Sequence, residues 1–377
     1  MNFRVEPGAI DGFSKLVGRA ADGSAQAVSY TGTHTQIDKS VGGQAWDLVA
    51  GDHDHYVSEA KKALEKVKSV LESSEKELAG TAKYYRETDR DEAAKLDATY
   101  PGSKVADGGS GGDSQDFSDA SDAVDTLQPP DGDSSNPLVK YGSGHADEYQ
   151  MNPVQKTLGS VLDLGSPSAM AVEASKLLFD FDPFAEATNW VFGDWNKYND
   201  CSDVWGNLAS FCDAVAANIR KGNQNVGLSW DGNASDAATV YFDEFSKKLG
   251  EIKETFESLK SCYAQAAQMA FQFAEFLKSF LVMFCDLLVI WLVNLLAAQA
   301  VNAIPVGGQA ASVAMFALAA AQAVRLMQMW AEAAKAFDTF AAGLSALGVV
   351  MSAAVNGFSA ADGFPQVGTG GYDHRAV

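Results

Sequence analysis

The sequence predicts an all-α protein in which two antiparallel helical hairpins form an elongated bundle and a long hydrophobic helical hairpin continues it. Three observations lead there. Apolar residues recur every three or four positions over two long stretches, the period of one face of an α-helix. Hydrophobic residues make up 47% of the 377, and the second half is Ala-rich, a composition suited to long packed helices rather than a sheet. Segments rich in Gly, Pro and Asp interrupt the periodic stretches, so the chain can reverse between them. On this reading residues 1–100 form the first hairpin, 101–150 an acidic flexible linker, 151–265 the second hairpin, 266–357 the hydrophobic hairpin and 358–377 a flexible tail.

In the first hairpin the clearest helix runs from Tyr56 to Glu87. Its apolar stripe is Ala60, Leu64, Val67, Leu71, Leu78 and Tyr85, broken only at Ser74. A weaker pattern precedes it, with Ile10, Phe13, Leu16 and Val17 near its start and Ile37 and Val41 near its end. Gly42-Gly43 then lets the two helices fold back on each other. The linker holds eight Asp and one Lys between Lys104 and Asp133. Its composition cannot bury enough apolar surface to offset the entropy of ordering, so a flexible segment is expected. The Asp residues lack the periodic spacing of a calcium loop.

The second hairpin carries the stronger signal. Tyr198, Cys201, Trp205, Leu208, Cys212, Val215 and Ile219 alternate by three and four. Lys221-Gly222-Asn223 reads as the helix stop. The alternation resumes at Ala238 and continues through Phe242, Phe256 and Phe273 to Trp291, about 80 Å of helix at 1.5 Å per residue. Helices of that length serve as stalks, coiled-coil arms or membrane elements. From Ser279 to Ala300 the chain is apolar on nearly every face. Ile304 to Gly308 breaks it, and Ala310 to Trp330 forms a second apolar stretch. Each arm is long enough to span a bilayer, although Asp286 and Arg325 are costly in hydrocarbon unless paired. Burial within the protein or an oligomer is the competing account.

A formal charge of -21 excludes nucleic acid as a partner, because phosphate binding needs a basic surface. It also opposes electrostatic attraction to anionic lipid. Met1 to Ala20 contains Arg4, Glu6, Asp11, Lys15 and Arg19, which interrupt any signal-peptide core. The four cysteines lie in the second half without C-x-x-C spacing, so no zinc site is expected. They read as buried thiols, or as a single disulfide between Cys201 and Cys262, which lie about as far before and after a turn near Leu228. Asp52-His53-Asp54-His55 has metal-binding side chains. Neighbouring residues point in different directions, however, and acidic residues are expected at a helix start anyway. The sequence contains no Gly-x-Ser-x-Gly, no phosphate-cradling loop and no His-Glu-x-x-His.

Trp230-Asp231-Gly232 lies between the two helices of the second hairpin. There Trp can plug the gap between helix ends and Gly can admit a close turn. Asp231 or Asn233 is expected to cap the next helix. Trp195, Trp205, Ala234 and Phe242 are the expected packing residues of this hairpin. With these residues, Ser166-Pro167-Ser168, Phe179 to Pro183, Gly193-Asp194-Trp195 and Asn233-Ala234, residues 165–265 resemble the WXG-type ESX family. The likeness is to the extended form found at the amino ends of actinobacterial type VII toxins and channel-forming proteins. Residues 1–100 resemble a second, more divergent ESX hairpin, which lacks Trp-x-Gly and has Gly42-Gly43-Gln44-Ala45-Trp46 near its turn. Together the two resemblances span about half the chain.

The resemblance implies export as a folded helical pair. One partner contributes Trp-x-Gly and the other a Tyr-x-x-x-Asp/Glu, which Tyr85 and Asp89 fit. Four apart on one helix, these two would share a face that an ATPase could read. Both halves of such a pair would then be fused in one chain, with the linker raising their local concentration. Toxins of this kind carry an enzyme domain after the WXG region, and Ser359 to Val377 is too short for one. The expectation is a non-enzymatic type VII substrate without cofactors, made in the cytoplasm and delivered outside the cell or to its envelope. It would act as a scaffold or interaction protein. Its expected partners are the secretion ATPase and core complex, a separately encoded toxin or ESX-like protein, or further copies of itself. The alternative expectation is a protein that inserts in membranes or forms a channel through residues 279–330.

Overall fold

An amphipathic helix must cover its apolar stripe, and here each long helix does so against another long helix. The computed structural model describes residues 3–40, 42–100, 116–130, 175–176, 178–304 and 308–367. Its elements are β1 (Arg4–Val5), α1 (Pro7–His34), α2 (Gln44–Ala50), α3 (His53–Glu87), α4 (Arg90–Asp97), a 3-10 turn (Val124–Thr126), α5 (Pro183–Val191), α6 (Trp195–Gly227), β2 (Trp230–Asp231), α7 (Asn233–Asn302), α8 (Gly308–Val355) and a second 3-10 helix (Asn356–Gly363). The protein is all-α, and its two short strands only pair with each other.

Helices α1 and α3 form one antiparallel hairpin, α6 and α7 a second, and α1 lies along α6. The stripes predicted from sequence face this shared core. Leu64, Val67, Leu71, Leu208, Val215, Leu249, Ile252 and Phe256 are all buried. Ser74, the one break in the first stripe, has a structural reason. Its hydroxyl lies 2.8 Å from the Tyr241 hydroxyl of α7, so a polar pair bridges the two hairpins inside the core.

Helix α7 continues past its pairing with α6 for about half of its 70 residues, and α8 returns along it. Rungs mark the antiparallel register: Asn294–Gln322 at 3.0 Å, Phe284–Trp330 at 6.2 Å and Phe273–Phe340 at 4.6 Å. The returning chain does not stop at the apolar hairpin. Tyr56 of α3 reaches Ser352 at 2.9 Å, Phe358 meets Phe256 at 4.9 Å, and Phe364 stacks on Phe245 at 4.8 Å.

Several expectations need correction. Helix α1 ends at His34 rather than near Val41, which lies outside the described residues. Lys221-Gly222-Asn223 is not a helix stop, because α6 runs on to Gly227. A Cβ on Gly222 would lie 2.6 Å from the Phe13 ring, so this glycine admits a side chain from α1 rather than ending a helix. Residues 356–364 are not a free tail, since Phe358, Ala361 and Phe364 are buried on α7 and α3. Residues 368–377 lie outside the described residues.

The linker is corrected in its centre. Residues 116–130 lie as a strap across α1 and α6. Arg19 grips Asp119 through two bonds, at 2.9 and 3.1 Å. The Asn218 side chain accepts from the Ala120 amide at 2.7 Å and donates to the Ser121 carbonyl at 2.9 Å. Phe117 sits over Gly12, where any Cβ would clash with its ring. These polar contacts replace the apolar burial that the strap's composition cannot supply. The flanking linker residues 101–115 and 131–150, like Ser166-Pro167-Ser168, lie outside the described residues.

Candidate functional site: the Trp230 corner

Between α6 and α7 the chain turns through Leu228 to Gly232, and three separate segments build around that turn. Strand β2 pairs antiparallel with β1, setting Val5 opposite Trp230 and Arg4 opposite Asp231. The Glu6 amide donates to the Ser229 carbonyl at 2.9 Å. Gly232 has a φ of +150°, a conformation that side chains disfavour. A Cβ there would also lie 2.8 Å from the Asp97 carboxylate.

That carboxylate caps α7 from another module. Asp97 closes α4 and is buried. It accepts from the backbone amides of Asn233 at 3.0 Å and Ala234 at 2.9 Å. The expectation that Asp231 or Asn233 would cap α7 is thereby corrected. Asp231 is exposed, and the Asn233 side chain instead donates to the Asp97 carbonyl at 3.3 Å. A buried anion at a helix N-terminus satisfies two orphan amides and meets the positive end of the helix dipole.

Trp230 is buried against Tyr85, whose ring stands edge-on with centroids 6.1 Å apart. Phe3 also packs against Tyr85, its ring centroid 5.9 Å away. Burial holds the Tyr85 hydroxyl far above its usual pKa, the Asp97 charge adds to the effect, and the Trp230 indole partly offsets it. The tyrosine of the first hairpin and the tryptophan of the second therefore meet at one end of the bundle.

Asp89 does not share a helix face with Tyr85, contrary to expectation. Helix α3 ends at Glu87, and Thr88 is extended. Exposed Asp89 then starts α4, accepting from the Asp91 amide at 2.9 Å. Around it the first module is anchored by an ion pair of Arg86 with Asp11 and by Arg90 donating to the Phe3 carbonyl at 3.0 Å.

The other singled-out residues fall in different places. Ala234 is buried in the first turn of α7, and Phe242 packs on Phe13 at 4.6 Å. Trp205 lies about 33 Å of helix before the end of α6, stacked on Phe256 at 6.1 Å. Trp195, at the far end of α6, stands edge-on to Trp46 at 5.3 Å. Trp46 in turn covers Gly193, which has no Cβ to block it. Cys201 and Cys262 are free, as are Cys212 and Cys285, so no disulfide joins the pair that register suggested. Burial pushes the Cys201, Cys212 and Cys262 thiols up.

His53 is buried, with Nδ1 2.7 Å from the Tyr263 hydroxyl and Nε2 2.6 Å from the Thr35 carbonyl. Nε2–H donating to Thr35 and Nδ1 accepting from Tyr263 satisfy the neutral ring completely. Its pKa is lowered, mainly by burial. His55 is exposed, and among the described residues no three His, Cys, Asp or Glu side chains are grouped to hold a metal.

Asp97 and Asn218 were missed by sequence reasoning, and Gly222 was read as a helix stop rather than as a notch for Phe13. Asp97 ends a short polar helix like many others, and its partner lies 136 positions away. Comparison with protein-family models, with curated proteins and with solved structures returned no match.

Proposed function

We propose that this chain is a non-enzymatic substrate of a type VII (ESX) secretion system, exported as a helical scaffold or interaction protein with both halves of an ESX-like pair fused in one molecule. One observation carries the reading: Tyr85 of the first hairpin packs on Trp230 of the second, 6.1 Å apart. The two elements that the family divides between partners are thus neighbours within a single chain. Asp89 lies exposed two residues beyond the end of α3, at the start of α4. Its reader would be the secretion ATPase and core complex, and its cargo or partner a separately encoded toxin.

The test is export of full-length variants from a cell that carries the machinery. Trp230→Ala and Tyr85→Ala should accumulate inside. Because both residues are core, Asp89→Asn is the sharper probe, expected to lose export while its circular dichroism and melting stay unchanged. Normal secretion of all three would end the type VII reading.

A second reading is membrane insertion by residues 279–330, and the exposure of that hairpin favours it. Ile290, Val293, Leu296, Val313 and Leu318 are all exposed, where burial inside the chain would have covered them. Both α7 and α8 are long and apolar enough to cross a membrane.

A further inference from the structure

The far end of the molecule is chemically unlike the rest. From Leu287 to Ala303 on α7 and from Gly308 to Val324 on α8 there is no Asp, Glu, Lys or Arg. Asp286 and Arg325 end the two charge-free arms, and both are exposed. They stand within about one helical turn of each other, between the Phe284–Trp330 rung and the Asn294–Gln322 rung. Beyond them each arm extends about 24–26 Å at 1.5 Å per residue. The hydrocarbon core of a bilayer is about 30 Å thick, and a few ångströms of mismatch are met by local thinning.

The exposed side chains do not form one stripe. Val313 at 68% and Leu318 at 51% exposure lie about 140° apart around α8 at 3.6 residues per turn. On α7, Ile290 at 51% and Leu296 at 51% lie about 120° apart by the same geometry. A second copy of the chain would cover one face, whereas lipid covers all of them. The amide side chains fit the same medium. Asn294 donates to Gln322 at 3.0 Å, and Ser312 donates to Asn302 at 3.2 Å. Each pair lies between the two arms, so polar groups that hydrocarbon would penalise are satisfied inside the hairpin. Gln299 and Gln309 are exposed and lie within two turns of the bend.

Resting on the membrane reading above, we propose that these arms cross a bilayer as a preformed in-and-out hairpin, with Asp286 and Arg325 at the near headgroups and the bend at Ala303 at the far ones. The lipid is zwitterionic, because a chain of net charge -21 is repelled by anionic headgroups. The helical bundle stays on the near side.

The experiment uses full-length protein carrying Cys285→Ser, so that the remaining native thiols are the three buried ones, mixed with phosphatidylcholine vesicles. Flotation reports binding. A membrane-impermeant maleimide, supplied outside or trapped inside, reports the side reached by Ala303→Cys and by Leu48→Cys, the latter exposed on the bundle. The expected result is flotation, loss of outside labelling at position 303 with labelling from within, and the opposite at position 48. Flotation with position 303 still labelled from outside would overturn the crossing while leaving membrane binding intact. Absence of flotation would overturn the membrane reading itself. If the unfloated protein were instead an oligomer that Ile290→Lys made monomeric, the apolar tip would belong to a second copy and the crossing would equally be overturned.

Discussion

Asp97 concentrates the chemistry of the Trp230 corner in one carboxylate, which caps α7, fills the space left by Gly232 and adds to the upward shift that burial imposes on the Tyr85 hydroxyl. Asp97→Ala should cost about 1–2 kcal/mol, the upper range for losing a helix cap, read as a lowered urea midpoint with unchanged slope. Asp97→Asn keeps an acceptor and should lose less. His53 sets a different dependence. Its folded pKa lies below its unfolded value because burial disfavours the charged ring. Above the unfolded pKa, about 6.5, the ring is neutral in both states and this penalty is absent. As pH falls below it, the unfolded chain takes up the proton first. Stability is then lost with a slope of up to about 1.4 kcal/mol per pH unit, until the folded pKa is reached. Lys39 adds to the lowering, whereas Asp54 and the Thr35 carbonyl oppose it. Urea midpoints measured from pH 7.5 to 5.5 should fall less steeply for His53→Gln than for the parent chain, which cancels the carboxylates common to both.

Among the elements, the strap at 116–130 most changes how the chain is understood. An Asp-rich segment would ordinarily stay solvated, yet Arg19, Asn218, Lys221 and Asn225 supply donors along its length. Phe117 is its aromatic anchor, half-buried over Gly12, and Leu127 packs on the core as well. Phe117→Ala should cost about 1 kcal/mol, from roughly half the burial of an aromatic side chain. It should also speed hydrogen exchange of the Ala120 and Ser121 amides by about fivefold if they open as a local unit. Protection unchanged at those amides would mean that the polar contacts alone hold the strap. Gly222 carries the same lesson. Read along the sequence it resembles a helix end, but the neighbouring α1 makes it a notch for Phe13.

As a whole molecule the protein divides into a wide bundle and a two-helix tip, and both α7 and α8 run unbroken from one to the other. The Trp230 corner and the bend at Ala303 lie at opposite ends of about 105 Å of helix. Substitutions should therefore separate by position. Phe273 is buried between α7 and α8, against Phe340 and Phe337, and Phe273→Ala should cost about 3–5 kcal/mol. Val293 is 59% exposed on the tip, and Val293→Lys should change unfolding free energy by no more than about 0.5 kcal/mol. The same change should sharply reduce flotation with vesicles, because it moves a charge into the proposed span. An equal loss of stability for both variants would mean that the tip belongs to the packed core.

Local periodicity was enough to specify the all-α class and the positions of the apolar stripes, and the Trp-x-Gly motif marked the bend at Trp230. An α-helix repeats every 3.6 residues whatever its neighbours, so a stripe is legible without knowing what covers it. Tertiary structure alone decided the rest. It paired Ser74 with Tyr241, carried Asp97 to the start of α7, anchored an acidic strap and folded the 356–364 segment back along α7. It likewise separated Asp89 from the helix that ends beside Tyr85, and left the apolar tip uncovered. Each of these depends on which distant segments become neighbours. Hydrogen-bond partners and glycine notches are set by distances of a few ångströms between residues often more than a hundred positions apart, and no local pattern encodes that proximity.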